Sequence, residues 1–284
     1  MEMDAVAERD SVRTDPGGAG EAPAALAIGA HPDDIEFMMA GTLILLQRAG
    51  WAIHCMNLGD GRCGTGAGTV DEIVATRQAE ARQACRLIGA EHHSSIAADL
   101  QIYHDTQTVA KVVAVIRRVR PRVLLLHSPS DYMEDHVNAC RIGVTAAFAR
   151  GMAHFPSIPE TPPVSGDVTV YHALPYGLRD PLRRPVRAGQ YVNVSEVMDL
   201  KRAALAAHAS QKQWLQASQG VSYLEAMVDF CRQAGKISGR FEYAEGWQRR
   251  SHLGFSRQDG DPLAQALGER CMTDADSEAS GRLP

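Results

Sequence analysis

The stretch LAIGAHPDDIE at residues 26–36 joins an apolar run to a histidine and two adjacent aspartates. Its first five residues have no polar side chain, which is typical of a strand buried on both faces of a parallel sheet. Open parallel sheets bind ligands just beyond the carboxyl ends of their strands. His31, Asp33 and Asp34 follow the run directly, so they are placed where such a sheet carries its chemistry.

The rest of the chain alternates short apolar runs with segments of helical periodicity. The runs that predict strands are at residues 25–30, 52–58, 122–127, 168–174 and 191–194. The segments that predict helices are at residues 40–49, 71–89, 106–119, 136–150, 196–209 and 221–234. This alternation predicts an α/β fold, a Rossmann-like, mostly parallel sheet flanked by helices. Residues 168–174 and 190–195, on either side of a Pro/Arg-rich segment, predict a hairpin-like extension.

Length and composition favour one large domain. The chain has 284 residues, 45% of them apolar, which is enough for a single extensive core. We expect residues 23–257 to form this domain. Residues 1–22 and 258–284 are polar and lack a sustained period, so we expect a disordered N-terminal segment and a polar C-terminal tail.

Charge and cysteine usage exclude several classes of protein. A net charge of −5 does not supply the broad basic surface that nucleic acid or anionic lipid requires. No apolar run is long enough to span a membrane, and the N-terminal segment carries charges where a signal peptide needs its apolar region. The six cysteines form no CxxC pair, which indicates reduced thiols. We therefore expect a cytoplasmic protein that does not bind nucleic acid.

A histidine and a carboxylate three residues apart can converge on one cation. His31 and Asp34 have this spacing, and a cation would offset the repulsion between Asp33 and Asp34. The alternative is structural: one aspartate caps the next helix and His31 is an ordinary polar residue with a hydrogen-bond partner. The spacing alone leaves both interpretations open.

A second strand end offers further ligands. The apolar run at residues 122–127 leads into a polar loop, and neighbouring strand ends lie about 5 Å apart. Two imidazoles and one carboxylate, with a position left for water, form an open zinc site, although iron(II) suits the same ligand types. The candidate ligands near this second strand end are His127, Asp131, Glu134, Asp135 and His136.

Five segments, in their order and spacing, resemble the LmbE-like and PIG-L-like zinc-dependent N-acetylglucosaminyl deacetylases. They are AHPDDIE, GTLILLQRAG, ATRQAEARQACRLIGA, SDYMEDHVNA and LKRAALAAHASQ, within about residues 25–250. The resemblance implies the deacetylase fold of that family, with His31, Asp34 and His136 as zinc ligands and Asp33 as the general base. It implies a hydrolase in which zinc-bound water removes an N-acyl group, most often acetyl, from an amino sugar or glycoconjugate. Family members often form trimers or hexamers, so the resemblance also implies a homo-oligomer.

One position departs from the family pattern. Met133 stands three residues before His136, where characterised members have a second histidine that assists the oxyanion or the leaving amine. A thioether donates no proton, so we expect this role to be absent or supplied by Tyr132 or His208. The alternative function is a catalytically weakened protein that binds carbohydrate or acts as a regulator.

Two helical segments contribute further candidates. Arg77 and Glu80 lie one helical turn apart and predict an ion pair. The resemblance places Arg77 and His208 near the pocket, and the alternative for His208 is a structural role. Tyr132, Met133, Arg77 and His208 are therefore candidate substrate-binding residues. Four other histidines have no partner recognisable from the sequence, namely His54, His92, His93 and His104.

The segment LGDGRCGTGAG at residues 58–68 spells GxGxxG, the fingerprint of dinucleotide sites. It follows the second predicted strand, contains extra glycines and lacks the acidic strand end about 20 residues further on. We therefore interpret it as a mobile loop at the rim of the zinc pocket, although a nucleotide-dependent enzyme remains an alternative. Asp60 and Arg62 either contact substrate hydroxyls or are solvated loop charges.

Overall fold

The computed structural model describes residues 22–64, 68–220 and 222–274, and eight strands in this part of the chain form one sheet. The strands are β1 (Ala24–Gly29), β2 (Ala52–Asn57), β3 (Ala90–His93), β4 (Val123–Leu126), β5 (Thr169–Ala173), β6 (Gln190–Asn193), β7 (Ala244–Arg249) and β8 (Cys271–Thr273). Their order across the sheet is β3-β2-β1-β4-β5-β7-β6-β8. β1 to β5 are parallel, whereas β7 is antiparallel to both of its neighbours and β8 is antiparallel to β6.

Helices cover both faces of the sheet. The described α-helices are α1 (Asp34–Met38), α2 (Ala40–Arg48), α3 (Val70–Ile88), α4 (Thr106–Val119), α5 (Glu134–Ala149), α6 (Met198–Ala206), α7 (Ala209–Gln219), α8 (Tyr223–Ser238) and α9 (Pro262–Leu267). Alternate residues of β1 face opposite cores: Ala25 and Ala27 contact the core beneath α1, α2, α3 and α8, and Leu26 and Ile28 contact the core beneath α4 and α5. The predicted Rossmann-like α/β class is confirmed.

Local sequence signals account for the limits of the best-defined helices. α3 begins with a capping box, in which the Thr69 side chain accepts from the Glu72 N–H and the Glu72 carboxylate accepts from the Thr69 N–H. It ends at Gly89, whose φ of 72° terminates the helix at no steric cost. Asp105 caps α4 by accepting from the Thr108 N–H.

The sheet differs from the prediction in its second half. The predicted hairpin-like extension is wrong, because β7 lies between β5 and β6 and pairs with both. Residues 262–273 form α9 and β8, so the domain continues past residue 257 into the expected polar tail. The expected N-terminal segment falls outside the described residues except for residue 22, as do residues 275–284.

None of the helices described has both the length and the apolar character needed to cross a lipid bilayer.

A buried ion pair ties the antiparallel half of the sheet to the helices. Lys201 on α6 and Glu245 on β7 are both fully buried, with 2.5 Å between Lys201 Nζ and Glu245 Oε1. The Glu245 carboxylate also accepts from the N–H groups of Gly41 (2.8 Å) and Thr42 (2.7 Å) in the first turn of α2. The helix N-terminus therefore adds to the stabilisation of this buried anion.

We expect Glu245→Ala to lower the free energy of unfolding by about 3–5 kcal/mol, because it leaves a buried ammonium ion without a partner. Urea denaturation followed by circular dichroism measures this change. Glu225→Ala is the matched control, since Glu225 pairs with Arg202 while more than half exposed. That exposed pair should contribute about 1 kcal/mol or less. Equal losses in the two variants would contradict the stabilising role of the buried pair.

Candidate active site

The candidate site lies where the direction of the strand order reverses. The chain passes from β1 outward to β2 and β3, and returns through α4 to β4 on the other side of β1. Their parallel pairing, with Ile28 opposite Leu126, brings the carboxyl ends of β1 and β4 side by side. Ligand sites of open α/β sheets lie in this crevice. The loops after β1 and β4 are those that the sequence singled out.

The loop after β1 is wrapped around the Asp34 carboxylate. Asp34 Oδ2 accepts from the backbone N–H groups of His31 (2.7 Å) and Ala30 (3.1 Å). Asp33, the residue before Asp34, has a φ of 113°, a left-handed conformation that is costly for a residue with a side chain. A glycine at position 29 lets the end of β1 pack closely against Asn57, because a Cβ there would lie 2.8 Å from Asn57 Oδ1. The loop therefore holds Asp34 and Asp33 in different directions.

Three predicted ligands come together at this point. His136 Nε2 lies 3.3 Å from Asp34 Oδ1, and His31 Nδ1 lies 3.6 Å from Asp34 Oδ2. One potential ligand atom from each of the three residues lies within 4.8 Å of the other two. A tetrahedral zinc ion with bonds of about 2.0–2.2 Å has its ligand atoms about 3.3–3.5 Å apart. The geometry therefore fits a divalent cation, and these three side chains could hold one.

Two further carboxylates fix the orientation of the imidazoles. Asp135 Oδ2 lies 2.8 Å from His31 Nε2, and Asp131 Oδ1 lies 3.0 Å from His136 Nδ1. The other nitrogen of each ring is thereby directed at Asp34. Carboxylate–histidine pairs of this kind are typical of metal sites, where they set the tautomer and the ring orientation. The sequence named both aspartates as candidate ligands, whereas the structure places them behind the imidazoles as their hydrogen-bond partners.

His127 lies beside the three candidate ligands without joining them. Its Nε2 accepts from the Ala30 N–H at 2.9 Å, so the lone pair that faces Asp34 is already used. The ring is fully buried and stacks on His136, with centroids 4.1 Å apart. Burial, followed by the nearby His136, lowers the pKa of His127. We therefore expect a neutral, structural histidine here.

Asp34 and the histidines around it shift one another's pKa values through their opposite charges. Burial alone would raise the pKa of Asp34, but the imidazoles of His136 and His127 hold it well below its usual range. Burial opposes the charged form of His136, yet Asp34 and Asp131 raise its pKa to about 10. A metal ion bound here would have to displace a proton from His136.

Asp33 lies beside the candidate ligands and pairs with Arg77. Arg77 Nη2 lies 3.2 Å from Asp33 Oδ2 and also donates to the Pro32 carbonyl. The predicted ion pair of Arg77 with Glu80 is confirmed at 3.5 Å. Burial raises the pKa of Asp33, and the Arg77 guanidinium opposes that rise. Asp33 is thus a buried carboxylate held beside the candidate ligands by a cation.

A cavity of about 390 Å³ opens above these groups. The predicted residues Arg77, Tyr132 and Met133 line it, and so do Gly61, Cys63 and Gly64 of the glycine-rich loop. The loop therefore borders the cavity as expected, although residues 65–67 lie outside the described part of the chain. The sequence did not identify most of the apolar wall, which includes Phe37, Met38, Leu100, Tyr176, Trp214, Leu215 and Tyr223.

Asp99 is a further lining residue that the sequence did not identify. Its two carboxylate oxygens accept from the N–H groups of Gly61 and Cys63, each at 2.8 Å. It thereby fixes the part of the glycine-rich loop that faces the cavity. Asp60 and Arg62 pair with each other and do not line the cavity, so neither is placed to contact a substrate, and Asp60 is buried rather than solvated.

The expectation that His208 is a pocket residue needs correction. His208 is fully buried behind the cavity wall and is not among the lining residues. Its Nε2 lies 3.3 Å from Glu36 Oε2, on the side of α1 that faces away from the cavity. The sequence placed His208 inside a helix, but it lies in the break between α6 and α7, and the direction of its side chain depends on how these helices pack against α1.

This fold and site define the class of protein: a Rossmann-like α/β protein with a candidate metal site where the strand order reverses, between β1 and β4. Residues 26–147 match the family model described as PIG-L: GlcNAc-PI de-N-acetylase. This part of the chain is therefore similar to the PIG-L (LmbE-like) family, in agreement with the motifs. The predicted homo-oligomer and the cytoplasmic location stay predictions.

Relatives of this chain have two kinds of activity in their names. The diacetylchitobiose deacetylase of Thermococcus kodakarensis is 26% identical over 78% of this chain and 80% of its own length. The 4-oxalmesaconate hydratase of Pseudomonas putida is 28% identical over 79% of this chain and 88% of its own. The solved N,N'-diacetylchitobiose deacetylase of Pyrococcus horikoshii shares the fold, with a TM-score of 0.69 and 20% identity over 86% of this chain and 89% of that one.

We expect Asp131→Ala to weaken zinc binding by about 10-fold to 100-fold, because His136 loses the partner that orients it. Chelator competition with the purified protein measures the affinity. Glu134→Ala is the control, since Glu134 is an exposed carboxylate close by, at the start of α5, and its loss should leave the affinity almost unchanged. An Asp131 variant that binds zinc as tightly as the unaltered protein would show that this carboxylate does not support a metal ligand.

Proposed function

We propose that the protein is a metal-dependent hydrolase that removes an N-acyl group, most often acetyl, from an amino sugar or glycoconjugate. The observation that carries the proposal is the convergence of His31, Asp34 and His136 beside the buried carboxylate of Asp33, at one end of a cavity. The relatedness to a diacetylchitobiose deacetylase and the match to the PIG-L model support the amide substrate.

His31, Asp34 and His136 would hold the metal ion, with zinc favoured by the ligand types and iron(II) as the alternative. A divalent ion there supplies Lewis acidity toward the acyl carbonyl and lowers the pKa of a water molecule. The chain itself contributes the orientation of the imidazoles through Asp131 and Asp135. All of these groups lie in the loops after β1 and β4 or in the first turn of the helix that follows each loop.

Asp33 is the proposed general base. It lines the cavity next to Asp34, and its strained backbone turns its side chain away from the candidate ligand cluster. Arg77 and the Tyr223 hydroxyl contact the carboxylate and hold it in place. Asp33 takes a proton from the attacking water and later returns one to the departing nitrogen.

Tyr132 is the proposed substitute for the histidine that is absent at position 133. It lines the cavity and its ring lies 5.8 Å from that of His136. Burial and the charges of Asp34 and Asp131 raise the pKa of the Tyr132 phenol, so it stays protonated at neutral pH and can donate a hydrogen bond to an oxyanion. The other candidate substitute, His208, is buried behind the wall.

The lining of the cavity suits an acylated sugar. Among the described lining residues, Arg77 is the one guanidinium and there is no lysine, whereas Asp33, Asp34 and Asp99 are acidic. The charge of Arg77 is already balanced by Asp33 and Glu80. The hydroxyls of a sugar would find carboxylate acceptors and an aromatic wall in this cavity.

Metal analysis of the purified protein, combined with a screen for free-amine release, tests the proposal. The screen should include N-acetylglucosamine and diacetylchitobiose, with hydration of 4-oxalmesaconate as the competing assay. We expect amine release that is lost with a chelator and restored by zinc. Hydration without amine release would overturn the deacetylase assignment. Failure of every zinc-loaded assay, with activity appearing in Met133→His, would favour the catalytically weakened carbohydrate-binding or regulatory protein instead.

We expect Asp33→Asn to lower kcat by about 10²–10⁴-fold while the zinc content stays the same, because an amide cannot take the proton. Steady-state amine release and elemental analysis provide the two readouts. Asp60→Asn makes the same change at an aspartate that pairs with Arg62 away from the cavity, and it should retain activity. Wild-type turnover in the Asp33 variant would refute the role of general base.

We expect Tyr132→Phe to lower kcat by about 10²–10³-fold with little change in KM, because one oxyanion donor is removed and the ring remains. Tyr103→Phe is the control, since Tyr103 is 59% exposed and does not line the cavity. If KM rises and kcat is unchanged, Tyr132 binds the ground-state substrate and the oxyanion is stabilised by another group.

A further inference from the structure

A second group of potential metal ligands lies at the edge of the sheet. His54 on β2 and Glu91 and His93 on β3 each direct one potential ligand atom to a common point, with all three atoms within 4.8 Å of one another. The parallel register places His54 opposite Glu91, and His93 is two residues further on, so all three side chains share one face. The sequence left both histidines without partners.

The distances within this group match a tetrahedral ion. His54 Nδ1 lies 3.1 Å from His93 Nε2 and 3.6 Å from Glu91 Oε2. Zinc bonds of about 2.0–2.1 Å place ligand atoms about 3.3 Å apart in a tetrahedron, between these two distances. The alternative is a hydrogen bond between two neutral imidazoles, which explains the shorter distance but gives no reason for Glu91.

Charge and access also suit a cation. Burial lowers the pKa of His93 to about 4 and also lowers that of His54, so both imidazoles are neutral and free of protons on one nitrogen near pH 7. The charged neighbours are Glu91, which attracts a cation, and Arg118, which opposes one. His93 is buried while the Glu91 side chain is 65% exposed, which leaves one side open for an ion and its water.

We propose that His54, Glu91 and His93 form a second metal site, which binds a borderline transition-metal ion such as zinc with water in the remaining position. Two imidazoles and a carboxylate are ligands that such ions prefer. The site joins the edge strand β3 to β2. β3 leads directly to Asp99, which holds the glycine-rich loop at the cavity, so an ion here would stabilise the segment between them.

Cobalt binding to the full chain carrying His31→Ala and His136→Ala tests the proposal, because this background removes the first site and the overlapping cluster of His127, Asp131 and His136. Equilibrium dialysis and visible absorption should show one cobalt ion per chain with a tetrahedral spectrum. Adding His93→Ala should abolish both signals. Adding His92→Ala, a change on the opposite face of the same strand, should leave them intact.

Glu91→Ala provides a variant that preserves the fold, since most of that side chain is exposed. Loss of a group that only hydrogen-bonds a metal ligand typically weakens metal binding by about 10-fold to 100-fold. We expect Glu91→Ala to weaken cobalt binding by more than this, because Glu91 would be a ligand itself. Circular dichroism confirms folding of each variant. The proposal is overturned if the background binds no cobalt, or if a full equivalent remains after His93 is replaced.

Discussion

The structure depends on one carboxylate at the end of the first strand. Asp34 accepts from two backbone N–H groups of its own loop and faces the imidazoles of His31 and His136. Without these partners a buried carboxylate would be protonated and neutral. The same contacts join the loops after β1 and β4, so the anion determines how the two strand ends meet as well as where a cation could bind.

The residues around this carboxylate have separate tasks. Asp131 and Asp135 orient imidazoles, Arg77 holds Asp33, and Asp99 holds the glycine-rich loop. Each is a buried charge that contacts a specific polar or oppositely charged partner, which the low dielectric of the site makes important. A deacetylase and a hydratase are both relatives of this chain, so the chemistry that this arrangement supports is decided by the cavity wall and its charge.

The contrast between His136 and His208 shows where prediction from sequence succeeds. His136 lies in the first turn of α5, which follows β4 after a short loop, and parallel pairing of β1 and β4 brings it to Asp34 with little freedom. His208 lies between α6 and α7, whose packing decides whether its side chain faces the cavity or Glu36. β7 was not predicted because the segment AEGWQR contains a glycine and three polar residues, and its Glu245 is acceptable in the core only beside Lys201.

The sequence by itself determined four strands of the parallel half, β1, β2, β4 and β5, and the polar loops that follow β1 and β4, whereas β3 was not predicted. Apolar runs, caps and turn residues act over a few positions, so their consequences can be read locally. Tertiary structure alone decided the antiparallel order of β7, β6 and β8, the aromatic wall and the meeting of His54 with His93. These features join segments far apart in the chain, and their stability comes from contacts that no local pattern encodes.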